Sequence, residues 1–176
     1  MGAAVYLITG VQAAGKSTVA QALAGRLPRS AHVRGDAFRR MIVNGRADMG
    51  PEPGEEALDQ LRLRHRLAAN TADAYAEAGF TAILQDVVIG EMLPWTVGQI
   101  RTRPLHVVVL APSPEAVARR EAGRAKVAYG ADSFSVADLD AVLRKETPRI
   151  GLWLDTSGLT VDETVDQILA GGASTA

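Results

Sequence analysis

VYLITGVQAAGKSTVAQALA, residues Val5–Ala24, is the stretch that decides the fold of this chain. Its apolar start predicts a buried strand, residues Gly10–Ser17 match the pattern G-x-x-x-x-G-K-[ST], and the residues after the pattern predict a helix. A strand, a glycine turn and a helix N-terminus in this order form a phosphate-binding loop, because backbone N–H groups and the helix dipole converge on one anion. The alternative is a glycine-rich turn that binds nothing, and the flanking strand and helix argue against it.

The residues of this loop have separate expected roles. Gly10 and Gly15 let the backbone curl without a side chain that would obstruct a phosphate oxygen. Lys16 would reach the outer phosphates, and the Ser17 hydroxyl would ligate Mg²⁺. The other positions expected to contact the nucleotide are Val11, Gln12, Ala13, Ala14 and Thr18. The motif therefore predicts a site for a nucleoside triphosphate with Mg²⁺.

Composition limits the classes to which the chain can belong. Of its 176 residues 47% are hydrophobic and 22% charged, as in an ordinary globular domain, and we expect residues 1–176 to form one domain. The net charge of −1 gives no support for broad nucleic-acid or membrane affinity. The absence of cysteine excludes disulfides, thiolate catalysis and zinc-thiolate sites. We see no signal-like segment and no apolar run of membrane-spanning length, so we expect a cytoplasmic protein.

Short apolar runs alternate with helical patterns along the chain. We predict strands at Val5–Thr9, Ala31–Arg34, Thr81–Leu84, Pro104–Leu110 and Ile150–Leu154. We predict helices at Lys16–Leu27, Ala37–Val43, Glu55–Ala78 and Glu91–Arg101, then from Pro114 onward, and at Val136–Glu146 and Asp162–Leu169. This alternation predicts an α/β fold with a parallel sheet.

The long predicted helix combines an apolar stripe with several arginines. The stripe recurs at steps of three and four through Leu58, Leu61, His65, Ala68, Ala72 and Tyr75. We expect His65 to be a core histidine, the alternative being a role beside a bound substrate. We expect the three arginines of the helix, Arg62, Arg64 and Arg66, to face solvent. Trp95, in a loop-like region, is a candidate substrate contact.

Several segments resemble the small P-loop kinases, the group that includes adenylate, shikimate, adenylylsulfate, chloramphenicol and polynucleotide 5′-kinases. They are GVQAAGKST at residues 10–18, RGDAFR at 34–39, GFTAILQD at 79–86, VARREAGR at 117–124 and LDTS at 154–157. The resemblance implies a three-layer fold with a five-stranded parallel sheet in the order 2-3-1-4-5 and helices on both faces. It also implies ATP as phosphoryl donor, acceptor-binding helices at about residues 37–79 and a helical lid at about residues 119–135.

Asp36 is the candidate general base. It follows the second predicted strand, and in open parallel sheets ligands bind at the carboxyl ends of the strands. A carboxylate there can accept the proton of an attacking hydroxyl, although Asp is also a good helix N-cap. Arg39, one turn further along, matches an arginine that holds an anionic part of the acceptor in the related kinases. Arg40 is the weaker candidate for that role.

Further candidates follow the third and fourth strands. Asp86 ends the strand expected beside the first one, and it would either hold Mg²⁺ through water or cap a turn. Arg120 and Arg124 are one turn apart on a helix that leads into a glycine-containing loop. They would close over the nucleotide and stabilise charge on the transferred phosphoryl, unless they are ordinary surface charges. The resemblance also implies that Asp155 and Thr156 lie near the adenine.

The acceptor is not identified by the sequence. Adenylate kinases follow the strand-3 aspartate with glycine, phenylalanine, proline and arginine, whereas Asp86 is followed by the apolar run Val87–Gly90, so a nucleoside monophosphate is disfavoured. We expect a hydroxyl on a small, partly apolar metabolite or antibiotic-like molecule. A polynucleotide 5′-hydroxyl is the second candidate, weakened by the near-neutral charge and few aromatics. The alternative from another class is a nucleotide-dependent switch or ATPase, although the N-K-x-D element of guanine-binding switches is absent.

Overall fold

The computed structural model describes residues 3–123 and 134–171 of the chain. Five strands form one sheet in the order β2-β3-β1-β4-β5, and every neighbouring pair is parallel, which confirms the predicted sheet. The strands are β1 (Val5–Thr9), β2 (Ser30–Arg34), β3 (Thr81–Gln85), β4 (Leu105–Leu110) and β5 (Leu152–Leu154).

Helices connect consecutive strands, as parallel strands require. They are α1 (Lys16–Gly25), α2 (Gly35–Arg40), α3 (Glu55–Glu77), α4 (Met92–Gln99), α5 (Pro114–Ala122), α6 (Val136–Ala141), which continues as the π-helical turn Val142–Glu146, and α7 (Val161–Ala170). Ser113 caps α5 by accepting a hydrogen bond from the Ala116 N–H. Thr160 and Glu163 cap α7 reciprocally, because each side chain accepts a hydrogen bond from the backbone N–H of the other residue. In the part of the chain that the structure describes, no helix combines the length and apolarity that a membrane span needs.

The centre of the sheet is the most buried part of the molecule. All five residues of β1 are buried, and Val5, Leu7 and Ile8 have no exposed surface. Leu23 of α1 and Leu143 of the π-helical turn are likewise fully buried. Because helices cover both faces, the central strands read as continuous apolar runs rather than as alternating patterns.

The register brings the ends of three strands to one edge. Ile8 of β1 pairs with Gln85 of β3, and Gln85 also pairs with Arg34 of β2. The chain therefore leaves β1, β2 and β3 at the same level. The phosphate-binding loop, Asp36 and Asp86 consequently start from one edge of the sheet.

The segment after β3 turns away from the sheet instead of extending it. The Thr9 hydroxyl donates to the Val88 carbonyl at 2.8 Å and accepts from the Val88 N–H at 2.8 Å. The Thr9 side chain thus replaces the backbone hydrogen bonds that a longer β3 would make with the end of β1. This pair of hydrogen bonds fixes the backbone just beyond Asp86.

Several element boundaries differ from those that the sequence predicted, among them those of α2, β5 and the predicted helix 136–146. Helix α2 begins at Gly35 rather than at Ala37, and it ends at Arg40. Strand β5 begins only at Leu152, because Gly151 has a φ of 75° and interrupts the extended backbone. The predicted helix 136–146 changes to π-helical geometry after Ala141.

Helix α3 buries a face that only partly matches the predicted stripe. His65, Ala68 and Ala72 are buried as expected, whereas Tyr75 is 44% exposed. The unexpected member is Asp73, whose carboxylate is fully buried and accepts hydrogen bonds from the N–H groups of Arg101 and Thr102. Asp73 thereby anchors the connection between α4 and β4.

Candidate active site

The phosphate-binding loop has the backbone that its sequence predicts. Gly10, Ala13 and Gly15 have φ values of 150°, 61° and 96°, which curl the chain between β1 and α1. A Cβ atom added to Gly10 would lie 2.5 Å from the Leu110 carbonyl oxygen. Gly10 is therefore required for packing against the end of β4, a reason that the motif alone does not reveal.

Lys16 is the first residue of α1, and its ammonium group lies inside the loop. The side chain is 9% exposed, and Nζ donates to the Val11 carbonyl at 2.7 Å. Ser17 and Thr18 follow on the exposed first turn of the helix and line the same cleft. The helix N-terminus and the ammonium group thus make this loop electropositive, as an anion site must be.

Arg120 of α5 joins the phosphate-binding loop to the segment after β5. Its guanidinium donates to the Ala14 carbonyl at 3.1 Å and to the Thr156 carbonyl at 2.8 Å. The Thr156 hydroxyl is buried and has no hydrogen-bond partner among the described residues. A buried hydroxyl of this kind next to the loop is a ready contact for a bound nucleotide.

One large cleft connects this loop with helices α2 and α3. Its volume is about 1060 Å³. The donor half is lined by residues 12–19, Arg120, Thr156 and the start of α7. The acceptor half is lined by residues of α2, the following loop, α3 and the end of β3, namely Asp36, Phe38, Arg39, Arg40, Met41, Ile42, Ala47, Met49, Ala57, Gln60, Leu61, Leu63, Arg64, Leu67, Gln85, Asp86 and Val87.

Asp36 stands in the first turn of α2 and lines the cleft. It is not the helix N-cap, because that position is Arg34 and no side chain caps this helix. The Asp36 carboxylate pairs with Arg40 at 3.1 Å, and it is 47% exposed. Arg39 pairs instead with Asp48 of the next loop. The structure therefore places both candidate arginines in the acceptor half and gives Arg40, the weaker candidate, the contact with Asp36.

Asp86 is buried at the end of β3 in a close ion pair. Its two carboxylate oxygens accept from Nε and Nη2 of Arg64, the Nε contact being 2.7 Å, and Oδ1 also accepts from the Val87 N–H at 2.7 Å. Gly35 lies against this carboxylate, because a Cβ atom there would be 2.5 Å from Cγ of Asp86. The glycine of the Gly35–Asp36 pair thus makes room for the aspartate of β3.

His65 lies behind this ion pair and outside the cleft. Its Nε2 is 3.7 Å from Oδ2 of Asp86, and its Nδ1 is 3.3 Å from the Thr96 hydroxyl. Burial lowers the pKa of His65, and this effect exceeds the opposing attraction of Asp86. The imidazole is therefore neutral at pH 7, in agreement with the expectation of a core histidine.

Arg64 is the functional candidate that sequence reasoning missed. The sequence predicted that Arg62, Arg64 and Arg66 would all face solvent, but the Arg64 side chain is only 17% exposed. Its position carried a usable signal, since Arg64 lies three residues after Leu61 and four before Ala68, two members of the predicted stripe. The sequence nevertheless predicted an exposed Arg64, because charged residues are usually exposed.

Of the remaining candidates, Asp155 and Trp95 do not line the cleft, and Arg124 is not among the described residues. Of the lid predicted at about residues 119–135, residues 124–133, including Arg124, lie outside the described residues. Asp155 is exposed and accepts from the Ser157 N–H and hydroxyl, and it is not part of the cleft lining. Trp95 lies in a separate surface depression beside Arg62, so it does not line the cleft either.

Sequence comparison identifies a family. The family model described as "AAA domain" matches residues 5–146, which is most of the chain. This match includes the phosphate-binding loop, the acceptor half of the cleft and Arg120. Comparison with curated proteins finds no significant match.

Solved structures share the fold over nearly the whole chain. A sugar kinase from a Janibacter species superposes with a TM-score of 0.68 at 19% identity, covering 98% of this chain and 95% of the other. A gluconokinase from Sinorhizobium meliloti gives 0.63 at 19% identity, covering 96% and 90%. The tunicamycin resistance protein of Deinococcus radiodurans gives 0.66 at 15% identity, covering 98% and 97%. At these identities the likeness shows the fold alone.

Proposed function

Because this chain belongs to the AAA-domain family and has the fold of the small P-loop kinases, we propose that it transfers the γ-phosphoryl group of ATP to a hydroxyl group of a small molecule. The observation that carries this proposal is the single cleft that Asp36 shares with the phosphate-binding loop and Arg120. Phosphoryl transfer needs a cradled donor and an aligned acceptor, and one cleft contains candidates for both. The sugar kinase and gluconokinase among the structural neighbours support small molecules as the acceptor class.

The residues of the donor half fit a nucleoside triphosphate. The curled loop and the start of α1 offer N–H donors, and Lys16 adds a buried positive charge. The Thr156 hydroxyl has no hydrogen-bond partner within the part of the chain that the structure describes, so it can bond to a ligand. Within residues 3–123 and 134–171 no group of three or more acidic or histidine side chains could hold a metal ion. Mg²⁺ bound here would take phosphate and water oxygens besides the Ser17 hydroxyl, with Asp86 contacting a coordinated water, and would neutralise charge on the phosphates.

Lys16 and Arg120 would stabilise the charge that the transferred phosphoryl group carries. Lys16 now donates to the Val11 carbonyl, and Arg120 to two backbone carbonyls, so both groups are already oriented at the loop. Fixed donors of this kind lower the barrier because they need no reorganisation at the moment of transfer. We infer that Arg124 assists them from the lid.

Asp36 would act as the general base. Its carboxylate accepts the proton of the acceptor hydroxyl while the hydroxyl oxygen forms the new bond to phosphorus and the bond from phosphorus to the ADP oxygen breaks. The ion pair with Arg40 holds the carboxylate in the cleft. Arg39 would bind the acceptor.

A screen for acceptor-dependent ADP formation tests this proposal. Purified protein with Mg²⁺ and ATP is incubated with a library of metabolites and antibiotics that carry hydroxyl groups, and with an oligonucleotide that has a 5′-hydroxyl. We expect multiple turnovers with one class of small alcohol and none with Lys16→Met, whereas Lys145→Met, which changes an exposed lysine, keeps full activity. Undiminished activity of Lys16→Met, or turnover with the oligonucleotide alone, would refute the proposal.

A further inference from the structure

We propose that the acceptor carries a negatively charged group and that Arg64 binds it, an inference that rests on the proposed function and adds the chemistry of the acceptor. Arg64 lines the acceptor half of the cleft, and the helix that carries it also supplies apolar walls through Leu61 and Leu67. Arg64 is thus a specificity-determining residue of the kinase reaction. The ligand class is a small hydroxyl compound with a carboxylate, sulfate or phosphate group.

The orientation of the guanidinium is the first argument. Asp86 occupies one edge of the fork, Nε and Nη2, in a bidentate pair. The Nη1 group has no hydrogen-bond partner among the described residues. An arginine held by one edge leaves its Nη1 and Nη2 end available for a second anion. Asp86 therefore orients Arg64 and leaves it able to bind a ligand.

The rigidity of this arrangement is the second argument. Asp86 is held by the Val87 N–H and packs against Gly35, and the backbone after it is fixed by the Thr9 hydroxyl. Arg64 consequently loses little conformational freedom when a ligand binds, which favours affinity. Arg62, by contrast, is half exposed and pairs with Asp59 on the outer face of the same helix. Of these two arginines, only Arg64 lines the cleft and is held in a fixed orientation.

The charge and polarity of the acceptor half are the third argument. Its lining contains three arginines, and each of them is paired with a carboxylate: Arg39 with Asp48 of the adjoining loop, Arg40 with Asp36, and Arg64 with Asp86. The remaining walls are largely apolar, with Phe38, Met49, Leu61, Leu67 and Val87. Apolar walls weaken solvent screening, so an ion pair formed there is stronger than one on the surface. A partly apolar acceptor matches these walls, and its anionic group would bind at the outer edge of the Arg64 guanidinium.

Paired ligands test the proposal independently of catalysis. The protein is saturated with Mg²⁺ and ADP, so that the phosphate-binding loop is occupied, and binding is measured by ligand-observed NMR. The probes are aliphatic and aromatic hydroxy acids, their neutral primary amides, and the matching sulfate and phosphate esters. We expect at least one anionic probe to bind about 10- to 100-fold more tightly than its amide, the usual worth of a charge-assisted hydrogen bond. The preferred anion identifies the group.

The variants separate Arg64 from its neighbours. Arg64→Gln should abolish the preference for the anionic probe, whereas Arg62→Gln should keep it. Because Arg64→Gln leaves the buried Asp86 unpaired, the double variant Arg64→Gln/Asp86→Asn removes the pair without leaving a lone charge and should give the same loss. No preference in the wild-type protein, or a preference that survives in both Arg64 variants, would overturn the proposal.

Different results would refute the kinase activity and the role of Arg64. Acceptor-dependent turnover of a neutral alcohol, at an equal rate in wild type and Arg64→Gln, would leave the kinase activity standing and overturn the role of Arg64. Binding of anionic probes without any transfer from ATP would support the anion site and refute the kinase. An oligonucleotide that binds with the same dependence on Arg64 and more tightly than every small probe would refute a small acceptor.

Discussion

Gly35→Ala is the substitution that tests most sharply how the edge of the sheet is built. The new Cβ atom would lie 2.5 Å from Cγ and 2.9 Å from Cβ of Asp86, distances that van der Waals contacts do not allow. The Asp86 carboxylate cannot turn aside freely, because it is held by Arg64 and by the Val87 N–H. Either the helix start or the aspartate must therefore move.

The expected cost follows from this contact. Inserting a methyl group into a packed site costs about 1–3 kcal/mol. For a chain of this length each kcal/mol lowers the melting temperature by about 2–4 °C, so Gly35→Ala should lower it by roughly 2–12 °C. Gly98→Ala is the control, because its Cβ atom would meet nothing within 4 Å and alanine favours the surrounding helix α4. It should leave the melting temperature unchanged or slightly higher.

Thermal unfolding of five proteins, namely the wild type, Gly35→Ala, Asp86→Ala, the double variant and the control Gly98→Ala, completes the test. The cost of Gly35→Ala is measured in the wild-type background and again in an Asp86→Ala background, where Cγ and both carboxylate oxygens are gone. The reasoning predicts a smaller cost in the second background, since only the Cβ contact at 2.9 Å remains. Equal costs in both backgrounds, or a Gly35→Ala protein as stable as Gly98→Ala, would refute the assigned contact.

Two further predictions concern catalysis and pH. Asp36→Asn should lower kcat by about 10²–10⁴ with little change in KM for ATP, while the exposed control Asp59→Asn keeps its activity; a change in KM alone would make Asp36 a positioning residue. Burial lowers the pKa of His65, so below its ordinary value of 6.5 the unfolded chain binds a proton before the folded one does. The free energy of unfolding, measured in urea, should therefore fall as the pH drops below about 6.5, and fall less in His65→Gln. An equal fall in both proteins would assign this dependence to other groups.

The fold could be predicted because its signals are local. The phosphate-binding loop, the apolar runs of the central strands and the cap at Ser113 each depend on neighbouring residues. Strand order, by contrast, came from resemblance, since no local pattern says that β3 lies between β2 and β1. The late start of β5 was missed because it depends on a positive φ at Gly151.

The acceptor half was less predictable because its contacts join distant residues. Arg64 and Asp86 are 22 positions apart in sequence, and the ion pair that buries Arg64 exists only when α3 packs on β3. A charged residue at the flank of an apolar stripe is usually exposed, so the pattern favoured the wrong environment. Asp73 was missed for the same reason, since its partners are backbone N–H groups of the connection after α4.

The fate of the γ-phosphorus tests the central claim most directly. Phosphorus NMR can follow ATP in the presence of Mg²⁺, the protein and the acceptor found in the screen, through many turnovers. The account predicts a new phosphoester resonance that grows in step with ADP and is absent with Lys16→Met. Inorganic phosphate as the only product, formed at the same rate with or without the acceptor, would contradict the account and identify the protein as a nucleotide hydrolase.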